Sequence, residues 1–257
     1  MADPLGHFLR PPGYVGPRGI RPLVGEALVL REAAHLLRPA VKGRSPGCGD
    51  DPNQPVLLIP GFLAGDATLK PMAGMLRRCG YRTYRSRIRA NVRCAQAAGE
   101  ALERRVESIA ERRKHPVAIV GHSLGGLMAK ALANRRPDLV AGIVTLGSPL
   151  LAPGAVHRAL AFDLALLNRL SRVGFGGVMG ADCTSGDCAR RSWEELSAAA
   201  PPGLPFTSVY SRRDGIIDWR ACLDPDAEHV EVRTSHVGMA VGSDVYAAVV
   251  AGLRRIN

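Results

Sequence analysis

The sequence predicts an α/β fold: a mostly parallel central sheet with helices on both faces. Three observations carry that expectation. Short runs of purely apolar residues recur along the chain, and each enters a Gly- or Pro-bearing turn, the pattern of strands buried on both faces. Segments of 10–19 residues with helical spacing separate them, as βαβ units require. At 257 residues, with 46% hydrophobic and 22% charged side chains, the chain is long enough for one large domain and unlike a disordered one.

Residues 1–21, rich in Pro and Gly, read as a surface arm. Leu23, Ala27, Leu30, Ala34 and Leu37 recur at helical spacing and predict a helix over 23–38, stopped by Pro39. Residues 40–54 form a Gly/Pro/Asp linker, so 1–54 read as arm, helix and linker, and 55–257 as the main domain. Its first strand is Val56-Leu57-Leu58-Ile59, ended by Pro60-Gly61. A helix over about 68–79 follows, then an alternating strand from Tyr81 to Ile88 and a polar-faced helix over 96–114. Val117 to Val120 is the second buried strand and runs through Gly121 into a helix over about 124–136. Ile143 to Leu146 is the third core strand. Thr207 to Tyr210 and His229 to Val232 add two more, and 243–255 close the chain as a helix. Leu146 and Thr207 stand some 60 residues apart, where a crossover needs about a dozen. The surplus, 150–203, predicts a cap or lid insertion that includes an apolar helix from Val156 to Leu170.

The net charge of +11 raises nucleic acid, an anionic membrane or an acidic substrate as partners. With 5% aromatic residues, base-stacking platforms are scarce, and nucleic acid is not the expected partner. Residues 77–114 alone hold twelve Lys and Arg against four Glu, which reads as a solvated helix face or as a surface for anionic lipid. No apolar run approaches the roughly 20 residues of a membrane span, and the N-terminus lacks the apolar core of a signal peptide. A cytoplasmic chain, or one peripheral to a membrane, is the expectation. Six cysteines without a CxxC, and histidines without zinc spacing, predict no metal site. Cys183 and Cys188 flank Thr-Ser-Gly-Asp and could close a small loop; otherwise the cysteines read as buried thiols.

Gly121-His122-Ser123-Leu124-Gly125-Gly126 has the form G-x-S-x-G, with a buried strand before it and a helix after it. That setting suits a nucleophilic serine. A residue at so sharp a turn adopts strained backbone angles, which only glycine neighbours tolerate. Its hydroxyl then stands at the carboxyl end of the sheet, over the positive end of a helix.

At these residues the sequence resembles the α/β-hydrolase superfamily, and within it bacterial lipases and esterases. The likeness also covers Pro-Gly-Phe (60–62), Thr-Leu-Gly-Ser-Pro (145–149), Tyr-Ser-Arg-Arg-Asp-Gly (210–215) and Ser-His-Val-Gly-Met (235–239). It implies an α/β-hydrolase fold with the order Ser, acid, His. Only His229 and His236 lie late enough for the base. His229 falls within a strand pattern, whereas His236 lies in the loop after it and is the expected base. The acid is expected after the strand at 207–210, where the resemblance matches Asp214; Asp218 is the competitor. The oxyanion donors are expected to be the backbone N–H groups of Leu124 and Phe62. Pro60 stands where many lipases carry a histidine. The resemblance implies a serine hydrolase of carboxylic esters with Ser123 as nucleophile and a small-molecule or lipid ester as substrate. It calls for no cofactor. Thioesterases and acyltransferases share the triad.

Overall fold

In a computed structural model, residues 5–26 and 54–256 are described. Six strands form one sheet in the order β2-β1-β3-β4-β5-β6, and every pair is parallel. The strands are β1 (Pro55–Ile59), β2 (Arg82–Arg85), β3 (Val117–His122), β4 (Val140–Leu146), β5 (Phe206–Tyr210) and β6 (Glu228–Glu231). The order reverses between β1 and β3, and a ligand crevice opens at the carboxyl end of a sheet where that happens. Both edge strands carry charged residues, Arg82 and Arg85 on β2 and Glu228 and Glu231 on β6, which discourage pairing with another chain.

Strand periodicity divides the core into two layers. Val56, Leu58, Ala118 and Val120 face helices α1 (Lys70–Arg78) and α7 (Ser243–Arg254). Leu57, Ile59, Val117 and Ile119 face α2 (Ala95–Arg113) and α3 (Leu124–Arg135). Burial on both sides is why these strands read as unbroken apolar runs.

Between β4 and β5 lie α4 (Arg158–Arg172), α5 (Ala181–Ser185) and α6 (Asp187–Ser197). The segment is not one uniform excursion. Helix α6 packs on α2 and α3, buries Leu196 in the main core, and is bound through Arg135 to Glu195 at 2.6 Å. It does the work of an ordinary crossover helix. Helix α4 instead turns Leu164 and Leu167 onto a small separate core with Met179, Phe62 and Leu5, while Phe162 and Leu166 face solvent. That split is why its sequence is apolar on more than one face.

Two expectations change in detail. The strand expected to reach Ile88 stops at Arg85, because the Asp66 carboxylate accepts from the Ser86 N–H, the Ser86 hydroxyl and the Arg87 N–H and bends the chain off the sheet. The N-terminal arm does not stand free: Leu9 is buried, the Gly6 N–H donates to Thr184 O, and the Val15 N–H donates to Asp218 Oδ2. Residues 20–26 are helical, earlier than expected. The rest of the expected helix over 23–38, and all of the linker but Gln54, lie outside the described residues.

Candidate active site

Ser123 closes the turn between β3 and α3 with φ 53° and ψ −120°, a region non-glycine residues avoid. Its neighbours permit that turn. A Cβ on Gly125 would lie 2.2 Å from the Ile59 carbonyl oxygen, and one on Gly121 would lie 2.4 Å from the Gly125 oxygen. The Ser123 N–H donates to Leu146 O at 2.8 Å, which ties the turn to the neighbouring strand. Ser123 thus sits at the N-terminus of α3, where the unpaired N–H groups of the first turn face it.

The structure brings the expected base and acid together. His236 Nδ1 donates to Asp214 Oδ2 at 2.6 Å, and both residues are buried. Asp214 is fixed through its other oxygen, which accepts from the Ile216 and Ile217 N–H groups, each at 2.8 Å. Asp218 is engaged elsewhere: it caps the short helix Trp219–Cys222 and pairs with Arg220. His229 is exposed on β6, its Nε2 donating to Asp224 O. Burial disfavours the His236 imidazolium, but the charge and hydrogen bond of Asp214, with the charge of Glu26, outweigh it and raise the pKa. His122, beside Ser123, donates from Nε2 to His236 O at 3.0 Å. Burial and the nearby His236 push its pKa down to about 3, so it stays neutral. Among the described residues, no hydrogen bond joins the Ser123 hydroxyl to the His236 ring. Such contacts commonly close only when substrate is bound.

The loop after β1 turns toward the serine at Phe62 and Leu63, the latter with φ 59°. The Phe62 and Leu124 N–H groups donate to no backbone carbonyl among the described residues. Asn91 holds this loop. Its buried side chain donates to Pro60 O at 2.9 Å, its carbonyl accepts from the Leu63 N–H, and its N–H donates to Ala64 O. Beside Ser123 lies a cavity of 180 Å³ with mainly apolar walls, among them Phe62, Leu127, Leu160, Leu164, Met179 and Ile217. Leu5 and Leu9 of the arm complete it.

Glu26 and Asn91 are the site residues that sequence reasoning missed. Glu26, buried at the end of the described N-terminal helix, accepts on Oε1 from the Gly215 N–H at 2.8 Å and the His236 N–H at 2.9 Å. On Oε2 it accepts from the Val237 N–H at 2.8 Å. One carboxylate therefore pins the loop of Asp214 to the loop of His236. No local pattern marks it, since its partners lie about 200 residues away.

The sheet, its helices and this crevice define an α/β-hydrolase fold. Within that class, residues 52–173, a little under half of the chain, match the family model of the PGAP1-like alpha/beta domain. The mature form of a Bacillus licheniformis lipase superposes with a TM-score of 0.59 at 15% identity, over 82% of this chain and 95% of that one. A Paleococcus ferrophilus monoacylglycerol lipase gives 0.56 at 17% identity, over 81% and 97%. A soluble variant of the Saccharomyces cerevisiae monoglyceride lipase, in complex with a substrate analog, gives 0.57 at 14% identity, over 81% and 87%. At these identities the shared property is the fold. A comparison with curated proteins finds no match.

Proposed function

We propose that the protein is a serine hydrolase of carboxylic esters. One observation carries this reading: a buried imidazole oriented by Asp214 at 2.6 Å, in the same crevice as a serine held at φ 53°. In the reaction His236 Nε2 takes the Ser123 proton as Oγ attacks the acyl carbon. Asp214 fixes the tautomer and stabilises the imidazolium. The negative oxygen of the tetrahedral intermediate is received by the N–H groups of Phe62 and Leu124. His236 returns the proton to the departing alcohol. Water, with its proton passed to His236, then releases the acid and restores Ser123.

Within 150–203, helix α4 and the loop behind it act as the cap, and the cavity beneath them receives the acyl group. At 180 Å³ it is comparable to the ~150 Å³ apolar cavities that take up benzene. A short acyl chain fits it. Phe162, Leu166, Val173 and Phe175 stand 48–71% exposed on that cap, which supports peripheral contact with a lipid surface. Among the described residues, no helix is long and apolar enough to cross a membrane.

The test is labelling with a fluorophosphonate, followed by hydrolysis of p-nitrophenyl esters of graded chain length. Modification at Ser123, and ester turnover that Ser123→Ala abolishes, are the expected results. An unlabelled serine in folded protein, with no turnover at any chain length, would refute the reading.

A further inference from the structure

Away from the triad, on the seam between the insertion and the body, three thiols meet. We propose that Cys94, Cys183 and Cys188 bind a soft, thiophilic cation, Zn2+, which clamps the insertion to the hydrolase body. Sequence spacing alone predicts no metal site, because the third sulfur comes from 94 residues away from Cys188.

The three sulfurs lie within 4.8 Å of one another, and those of Cys94 and Cys188 are 3.4 Å apart. Around tetrahedral Zn2+, with Zn–S near 2.3 Å, sulfurs stand about 3.8 Å apart. Shifts of about 1 Å or less therefore convert the cluster into a coordination set. Cys183 and Cys188 are spaced as C-x4-C, within the usual range for ligands on one turn. That turn is built to present them. Asp182 Oδ1 accepts from the Cys188 N–H, and Gly186 leaves room for the same carboxylate, which a Cβ would meet at 2.3 Å. Cys94 approaches from the N-cap of α2. Three thiolates select a soft metal over Mg2+ or Ca2+. No fourth His, Cys, Asp or Glu joins them among the described residues, so water completes the tetrahedron. Any thiol still protonated gives its proton to solvent as its sulfur–metal bond forms.

The position gives the site its purpose. The same seam is closed by the Met179 N–H donating to Val92 O at 2.7 Å and by Gln96 donating to Ser192 at 3.2 Å. Cys183 also lines the cavity beside Ser123. A metal here would fix α5 and the start of α6 over that cavity, without taking part in the chemistry.

The full-length chain, reduced and freed of metal, is titrated with Zn2+, and with Co2+ as a spectroscopic substitute. One equivalent per chain is expected, and the Co2+ form should show thiolate-to-metal charge transfer with the intense visible bands of a tetrahedral site. Cys94→Ser, Cys183→Ser and Cys188→Ser should each lose the charge-transfer band, whereas Cys222→Ala, outside the cluster, should keep it. A folded wild-type chain whose Co2+ form lacks thiolate charge transfer overturns the proposal, whether or not the variants fold. So does binding that survives loss of both Cys94 and Cys188. A Cys94–Cys188 disulfide in the isolated protein overturns it as well, if no metal is taken up after reduction.

Discussion

Replacing Glu26 by Ala should cripple the reaction without touching a group that meets substrate. The substitution removes the acceptor of three backbone N–H groups, two of them, on Gly215 and His236, in buried hydrogen bonds. A buried donor left unpaired costs about 1–3 kcal/mol, so those two together cost about 2–6 kcal/mol if the loops stay in place. The loops will relax instead, and Asp214 and His236 ride on them. Displacement of reacting groups by 1 Å costs about 100-fold in rate, which is the expected fall in kcat/KM. Glu26→Gln separates geometry from charge. Its amide oxygen can still accept from Gly215 and His236, while its NH2 group opposes the Val237 N–H, so a loss of about tenfold, or 1.4 kcal/mol, is expected. The amide also removes a negative charge that raises the His236 pKa. Because the base works only when unprotonated, the acid limb of the kcat/KM profile should move to lower pH in Glu26→Gln. A residue that only supported the fold would leave that limb in place. Steady-state ester hydrolysis across pH, with circular dichroism to verify folding, is the assay. Wild-type kcat/KM in Glu26→Ala, with an unmoved acid limb, would refute the assigned positioning role.

The raised pKa of His236 predicts that wild-type activity is lost as pH falls, with a midpoint above the ordinary histidine value of about 6.5. Asp214→Asn should move that midpoint down and lower kcat by about 10⁴-fold, read from the same profiles. Gly147 has φ +54°, and a Cβ there would lie 2.9 Å from Met239 Sδ and 3.1 Å from His236 Nδ1. Gly147→Ala should therefore cost about 1–3 kcal/mol in backbone strain, measurable by urea unfolding, and depress kcat. Lys130 on α3 pairs with Asp224 at 2.5 Å, both almost fully buried. Lys130→Met should destabilise by about 3–5 kcal/mol in urea, because it strands a buried carboxylate. Lys130→Met with Asp224→Asn should recover part of that loss.

The elements legible in the sequence were those with a local cause. Val56–Ile59 and Val117–Val120 are too apolar to face water on either side, and Gly121 to Gly126 permit only a tight turn before a helix. His236 and Asp214 were expected from the resemblance, which matches Asp-Gly at 214–215 and asks for the order Ser, acid, His; the two side chains meet at 2.6 Å. Features that depend on distant partners were not legible. The shortening of β2 comes from Asp66, which has no sequence signature. The role of Asn91 depends on where the Pro60–Ala64 loop happens to pass. Within 150–203, α6 looks like the remainder of the insertion until its contacts with α2 and α3 are seen. The thiol cluster stayed hidden because two of its members are neighbours in sequence and the third is not.

The arm and helix before the sheet reach residues far along the chain. The hydrogen bond from Val15 to Asp218 spans 203 positions, and those that Glu26 accepts from His236 and Val237 span 210 and 211. On the ribosome, where synthesis proceeds at about 5–20 residues per second, this segment must wait while the sheet is built. The loops of Asp214 and His236 can be joined through Glu26 only after both have been made. Closing so long a loop slows folding more than it weakens the folded state. A chain without the helix that carries Glu26 therefore loses the carboxylate that joins the loops of Asp214 and His236.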